Sequence, residues 1–288
     1  MRLCPLVLAA VLASSGVGFS QAVPAAVFTD PPADSVHPAG MTALHIPSHG
    51  VEINGLVYQP SGAGPHPTLV ICHGLPGNEK NLDLAQAVRR AGWNAVSFNY
   101  RGSWGSPGSF RFAQNLEDAD AVLAYLRDPA NAARLGIDTK RMAIAGHSMG
   151  GWVTVHTAAH DHGLMGAILI SAGDMGAMAG LPREKVVALM ADNREALAGV
   201  TPESMADEVI ANAKIFGFQN AVSGLTQTPL LVLSADDGLA PGTDALVRAI
   251  RSKGGNKVTA IHVATDHAWS DRRILLESTI LNWLAGLR

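Results

Sequence analysis

Two rhythms of apolar residues run along the chain. Residues 42–47 and 51–58 alternate apolar and polar positions and are predicted as an antiparallel strand pair joined through His49-Gly50. Residues 68–72, 94–100, 142–145, 165–171, 230–234 and 258–263 are short, mostly apolar runs bounded by turn residues, the mark of buried strands. Between them the spacing changes to a helical period. Residues 81–91 put Leu82, Leu84, Ala85 and Val88 on one face, and Gly92 stops the helix. Residues 115–127 carry a stripe of Leu116, Ala119, Val122, Leu123 and Leu126. Residues 151–160, 244–253 and 273–287 are the other helices of this alternating series. Strands alternating with helices predict an α/β fold: a mostly parallel eight-stranded sheet flanked by helices, with ligands bound beyond the carboxyl ends of the strands.

Residues 174–228 interrupt the alternation. They separate two strands that a simple crossover would join with far fewer residues. They contain Met175, Met178, Met190 and Met205, and helical stretches at 183–190, 193–198 and 202–213. A helical cap inserted over the strand ends is expected here, with extra helices on the sheet's flank as the alternative. The organisation expected is therefore a signal peptide at 1–22, an extended Pro-rich lead-in at 23–40, and one domain at 41–288 that carries the cap at about 174–228.

The N-terminus has a positive start at Arg2, an apolar run at 5–12 and a small-residue stretch at 13–22. That is the layout of a secretory signal, with cleavage after Ser20 or Ala22, and it is too short for a membrane span. It places the mature chain in a secreted or periplasmic setting. Cleavage would leave Cys72 as the only cysteine, so no intrachain disulfide is expected. Of the 288 residues, 48% are hydrophobic, enough for one large core. A formal charge of −3 and the absence of a Lys/Arg cluster argue against a nucleic-acid partner.

Candidate chemistry centres on Gly146-His147-Ser148-Met149-Gly150-Gly151, between a predicted strand and a predicted helix. G-x-S-x-G in that context is a nucleophile elbow: small neighbours allow a sharp turn that lifts the serine hydroxyl out of the sheet. The alternative is a turn whose serine only caps the helix. A serine nucleophile needs a base and an orienting carboxylate, here in the order Ser, acid, His. Asp237, in Ser234-Ala235-Asp236-Asp237-Gly238, is the favoured acid; Asp236 and Asp174 are alternatives. His267, in the loop after the last strand, is favoured as base over His262 within that strand. The backbone N–H groups of Met149 and of Leu75, in His73-Gly74-Leu75-Pro76-Gly77, are expected to form an oxyanion hole, since Pro76 has no N–H. His147, Trp104 and Met175 are candidates for lining the substrate site. His156 and His160, four apart with Asp161 and His162 following, have metal-like spacing, but no glutamate base lies between the two and no metal site is assigned.

These motifs, with Asn99-Tyr100-Arg101-Gly102-Ser103 and Asp266-His267, resemble the α/β-hydrolase superfamily. The chain is similar to the bacterial dienelactone-hydrolase-like and prolyl-oligopeptidase-like serine hydrolases across residues 42–288. The resemblance implies an α/β-hydrolase fold and cleavage of a small-molecule ester through an acyl-enzyme on Ser148, Asp237 and His267, with no cofactor. It departs from dienelactone hydrolases proper, which use cysteine where Ser148 stands, and from dehalogenases, which use aspartate there. A peptidase or amidase acting on small peptides, and a catalytically silent binding protein on the same fold, are the alternative functions. The sequence implies no membrane span and leaves the oligomeric state open.

Overall fold

The computed structural model describes residues 22–287. The expected signal segment and Cys4 lie outside the described residues, apart from Ala22. One sheet of eight strands organises the chain, in the order β1-β2-β4-β3-β5-β6-β7-β8. The strands are β1 (Gly40–Ser48), β2 (Val51–Gln59), β3 (His66–Cys72), β4 (Asn94–Phe98), β5 (Ile137–His147), β6 (Gly166–Ile170), β7 (Leu230–Ala235) and β8 (Val258–Val263). β2 pairs antiparallel with β1 and with β4, and every other pairing is parallel.

Alternation along the central strands sorts the apolar residues onto two faces. Leu69, Ile71, Ala145, Ile168, Ile170 and Leu233 pack with α1 (Leu82–Arg90) and α10 (Arg273–Gly286). Val70, Cys72, Ile144, Leu169 and Val232 pack with α2 (Phe112–Arg127), α4 (Met149–His160) and α9 (Ala240–Ser252). Cys72 is fully buried there, and burial pushes its thiol up to about 12. It sits in the core as an uncharged, unreactive side chain.

Several boundaries differ from expectation, each for a local reason. The α1 surface buries Leu84, Ala85, Ala87 and Val88, whereas Leu82, at its first turn, is exposed. A helix α3 (Pro129–Leu135) escaped the sequence reading because it is short; its signals were Asp128, which caps two amides, Pro129 at the first position and Gly136 in the left-handed conformation at the end. β5 starts at Ile137, earlier than its apolar run, since residues 138–141 are polar. Residues 193–198 form no helix. Their backbone bonds the loop after β4 instead: Trp104 N–H to Ala196 O, Ala198 N–H to Gly102 O, and Phe110 N–H to Ala198 O.

That exchange anchors the 174–228 segment. It comprises α5 (Arg183–Asp192), α6 (Pro202–Ala211), α7 (Ala213–Phe216), α8 (Val222–Leu225) and short 3-10 turns. Met190, Met205, Val209 and Phe216 join the α2–α4 core cluster. Trp152 Nε1 donates to Phe216 O, tying the segment to α4. The loop after β4 is itself held by a buried ion pair: Arg101 Nε lies 2.6 Å from Asp118 Oδ1, which also accepts from Ser48. Asp118 lies on the face of α2 read as an apolar stripe, and this pairing is why a carboxylate is tolerated there. Among the described residues, no helix is long and apolar enough to cross a membrane.

Candidate active site

Strand register brings the carboxyl ends of five strands level. Cys72 pairs with Gly146, His147 with Ile170, Ile170 with Leu233, and Ala235 with Val263. The residues after each strand therefore meet along one edge. Ser148, Leu75, Ser171, Asp237 and His267 all belong to these connections.

Ser148 sits between β5 and α4 with φ 58° and ψ −121°, a conformation that L-residues rarely hold. The backbone around it is tightly bonded: its N–H donates to Ile170 O, and its carbonyl accepts from the Gly151 and Gly173 amides. A Cβ at Gly146 would overlap the Gly150 carbonyl, and one at Gly150 would overlap Cys72 O. Only glycine allows the strand and helix to approach this closely. The serine side chain makes no helix-capping hydrogen bond, so the turn is not a cap. Among the described residues its hydroxyl has no hydrogen-bond partner.

His267 and Asp237 are paired. Nδ1 of His267 lies 2.7 Å from Oδ2 of Asp237, whose side chain is only 4% exposed. Burial opposes the charge on Asp237. Hydrogen bonds from His267 and the Leu239 amide, and the neighbouring Ser171 hydroxyl, outweigh burial and hold the carboxyl below its ordinary value. The alternatives go elsewhere. Asp236 contacts His262 Nε2 at 2.9 Å, and the other ring nitrogen of His262 meets Ser234 Oγ at 3.0 Å. Asp174 caps the turn after it and accepts from the Phe218 amide.

The 73–77 loop lies against Ser148: a Cβ at Gly74 would come within 3.0 Å of the Ser148 Cβ. Gly77 has φ 98°, and any side chain there would overlap the His73 ring. His73 donates from Nδ1 to Gly74 O at 2.8 Å, and Trp104 Nε1 donates to Pro76 O at 2.6 Å. The loop is thus pinned from both ends. Among the described residues, the Leu75 and Met149 amides donate no hydrogen bond, which leaves both able to bind an oxyanion.

Of the other candidates, His147 is buried and donates from Nε2 to the His267 carbonyl at 2.8 Å, with the two rings 4.6 Å apart. Trp104 pins the 73–77 loop and carries Lys80 Nζ over its ring at 4.4 Å. Met175 is 2% exposed within the core cluster. His156 contacts Phe216 O and His160 contacts Asp120, while Asp161 pairs with Arg127. The sequence reading assigned no role to Ser171, whose hydroxyl neighbours Asp237, or to Trp269, whose indole N–H donates to that hydroxyl at 3.0 Å. No periodicity marks them, because their position depends on loops meeting in space.

Burial pushes both His73 and His147 down to about 4; the nearby His267 adds to the effect at His147. Both are neutral at pH 7. The unfolded imidazoles bind protons that the folded ones refuse, so this stability is complete above about pH 6.5 and is lost as pH falls toward 4. Glu277, raised to about 7 by burial and the Asp83 carboxylate, acts in the opposite direction over part of this range. The test is therefore a difference. Urea unfolding of wild type and His147→Gln at about pH 7 and pH 5 should show the variant spared about 2 kcal/mol of the wild-type loss. Equal losses would mean that His147 titrates normally.

Residues 69–278 match the alpha/beta hydrolase family. An uncharacterized protein of Mycobacterium tuberculosis is 30% identical over 129 residues, 44% of each chain. The match thus spans less than half the length of that relative. Among solved structures, an acylaminoacyl peptidase from Pyrococcus horikoshii superposes with a TM-score of 0.67 at 16% identity, over 86% of this chain and 41% of that one. The carboxylesterase EstE1, cloned from a metagenomic library, gives 0.66 at 22% identity, over 91% and 92%. At such identities the likeness is one of fold. The family match covers most of the chain, from the third strand into the last helix, and on that ground the chain belongs to the alpha/beta hydrolase family.

Proposed function

We propose that this chain is a serine hydrolase that cleaves carboxylic esters of small molecules through an acyl-enzyme. The observation that carries the reading is the 2.7 Å pairing of His267 with a buried Asp237 on the same strand-end edge as the strained Ser148. Ser148 Oγ attacks the ester carbonyl while His267 Nε2 takes its proton. Asp237 holds Nδ1–H and stabilises the imidazolium. His147, neutral at this pH, adds no like charge beside it. The oxyanion accepts from the Leu75 and Met149 amides, each worth about 3 kcal/mol toward the transition state. Collapse of the tetrahedral species expels the alcohol, protonated by His267. A water deprotonated by His267 then releases the acid.

The 174–228 segment, fastened to the loop after β4, is read as a cap that bounds the acyl pocket. The N-terminal segment is read as an export signal, which would place the enzyme outside the cytoplasm. A fluorophosphonate probe tests the chemistry: it should add its mass to Ser148 in the folded protein, and no adduct would refute a serine nucleophile. Parallel assays on p-nitrophenyl esters and aminoacyl anilides test the substrate class. Faster turnover of anilides would make the protein an amidase instead.

A further inference from the structure

The loop that carries His267 runs from the end of β8 at Val263 to the start of α10 at Arg273. Its own backbone closes part of it: Trp269 N–H donates to Asp266 O, and Arg272 N–H to Trp269 O, each at 3.0 Å. The two carbonyls in between, those of His267 and Ala268, receive no backbone amide among the described residues. Each is taken by a side chain of a flanking element. His147, the last residue of β5, donates from Nε2 to His267 O at 2.8 Å. Arg273, the first residue of α10, donates from Nη1 to Ala268 O at 3.0 Å.

Both donors are themselves fixed. His147 is 5% exposed, and a carbonyl can only accept, so its Nε2 carries the proton. Burial keeps that ring neutral at pH 7, so the bond is made without a charge beside the base. Arg273 grips Asp83 on α1 with its fork, Nε to Oδ2 at 2.7 Å and Nη2 to Oδ1, and Nη2 also donates to Asn81 Oδ1 at 3.0 Å. Asn81 is fully buried. Because the guanidinium is planar and rigid, these anchors also aim Nη1. Trp269, next after Ala268, is buried and holds φ 61°, which a non-glycine residue keeps only where its surroundings enforce it.

We propose that His147 and Arg273 are positioning residues: by holding the consecutive carbonyls of His267 and Ala268, they fix the backbone of the base against the elbow, so that the His267 ring is placed to take the Ser148 proton. This rests on the reading that Ser148, His267 and Asp237 act together. Asp237 holds the ring at Nδ1 alone, and the Ser148 hydroxyl makes no bond to it at rest. The distance between nucleophile and base must therefore be set by other contacts. His147 is joined to Ser148 through one peptide bond, so its hydrogen bond ties the nucleophile's own neighbour to the base's main chain. The effect belongs in kcat, because both donors are engaged with backbone.

The test combines kinetics, normalised to folded protein, with a signal that does not need turnover. His147→Phe keeps a ring and removes the donor; it should lower kcat roughly tenfold with KM nearly unchanged, the scale of one lost hydrogen bond. His147→Gln places an amide N–H about where Nε2 stands and should recover most of that loss. Arg273→Lys keeps a cation beside Asp83 but cannot also span to Ala268 O, and should show a loss of the same kind. In a His267→Ala background, His147→Phe should add less than a further twofold, because no base is left to position. The Nδ1 proton of His267 should give a far-downfield NMR resonance that shifts or broadens in His147→Phe. Wild-type kcat in His147→Phe, an equal loss in His147→Gln, a tenfold loss retained over His267→Ala, or an unmoved resonance would each overturn the proposal. Hydrolysis retained by Ser148→Ala would refute the triad reading alone, since the resonance still reports on how His267 is held.

Discussion

Ser148→Ala will lower kcat for an activated ester by on the order of 10⁶-fold, His267→Ala will do nearly the same, and the double variant will be little worse than either. The non-additivity is the point. On the proposed mechanism Ser148 supplies the attacking oxygen and His267 the site for its proton, so removing either leaves the other with nothing to do. What should remain in each variant is transition-state binding by the proposed oxyanion hole, the Leu75 and Met149 amides. The resting geometry does not foreshadow a defect. The Ser148 hydroxyl is unpaired among the described residues, and such contacts tighten when substrate fills the site. Rates should be normalised to folded protein by circular dichroism. Variants that multiply their losses, or a Ser148→Ala protein that keeps more than about a hundredth of the rate, would remove Ser148 from the chemistry.

Gly150→Ala will destabilise the fold by at least about 3 kcal/mol, the upper part of the range for overpacking, and will abolish labelling of Ser148. The added Cβ meets Cys72 O and the His73 carbonyl, which are backbone atoms that no rotamer change can move aside. Relief requires α4 to shift away from β3, and that shift moves both Ser148 and the Met149 amide. Gly92→Ala is the matched control. Its φ is 89° and nothing lies within 4 Å of a built Cβ, so it meets only the conformational penalty of about 1 kcal/mol. Thermal unfolding of the two variants separates close approach from backbone preference. Equal Tm values would show that the elbow tolerates a side chain.

Much of the architecture was legible because its determinants are local. Apolar runs such as 68–72 and 230–234, buried on both faces, identify parallel strands whatever their neighbours, and the 3.6-residue stripe of 115–127 identifies its helix. The elbow was legible for the same reason: G-x-S-x-G is a steric requirement on consecutive residues. Legibility failed where long-range contacts chose the outcome. Residues 193–198 have a helical composition, yet their backbone groups pair with Gly102, Trp104 and Phe110. Asp118 occupies an apolar-looking stripe because Arg101 and Ser48, distant in sequence, satisfy its charge.

The acid and base show the division most closely. Sequence alone determined that a carboxylate stands after β7 and a histidine after β8, and that a serine stands at a turn only small residues allow. Two aspartates and two histidines remained interchangeable by pattern. Tertiary structure decided the pairs: Asp237 with His267 on the strand-end edge, and Asp236 with His262 at the side of β8. It also decided that the Trp269 indole donates to the Ser171 hydroxyl, 98 positions away in the sequence. Hydrogen bonding acts over about 3 Å, and the chain sets such distances only after the sheet register has brought separate loops together.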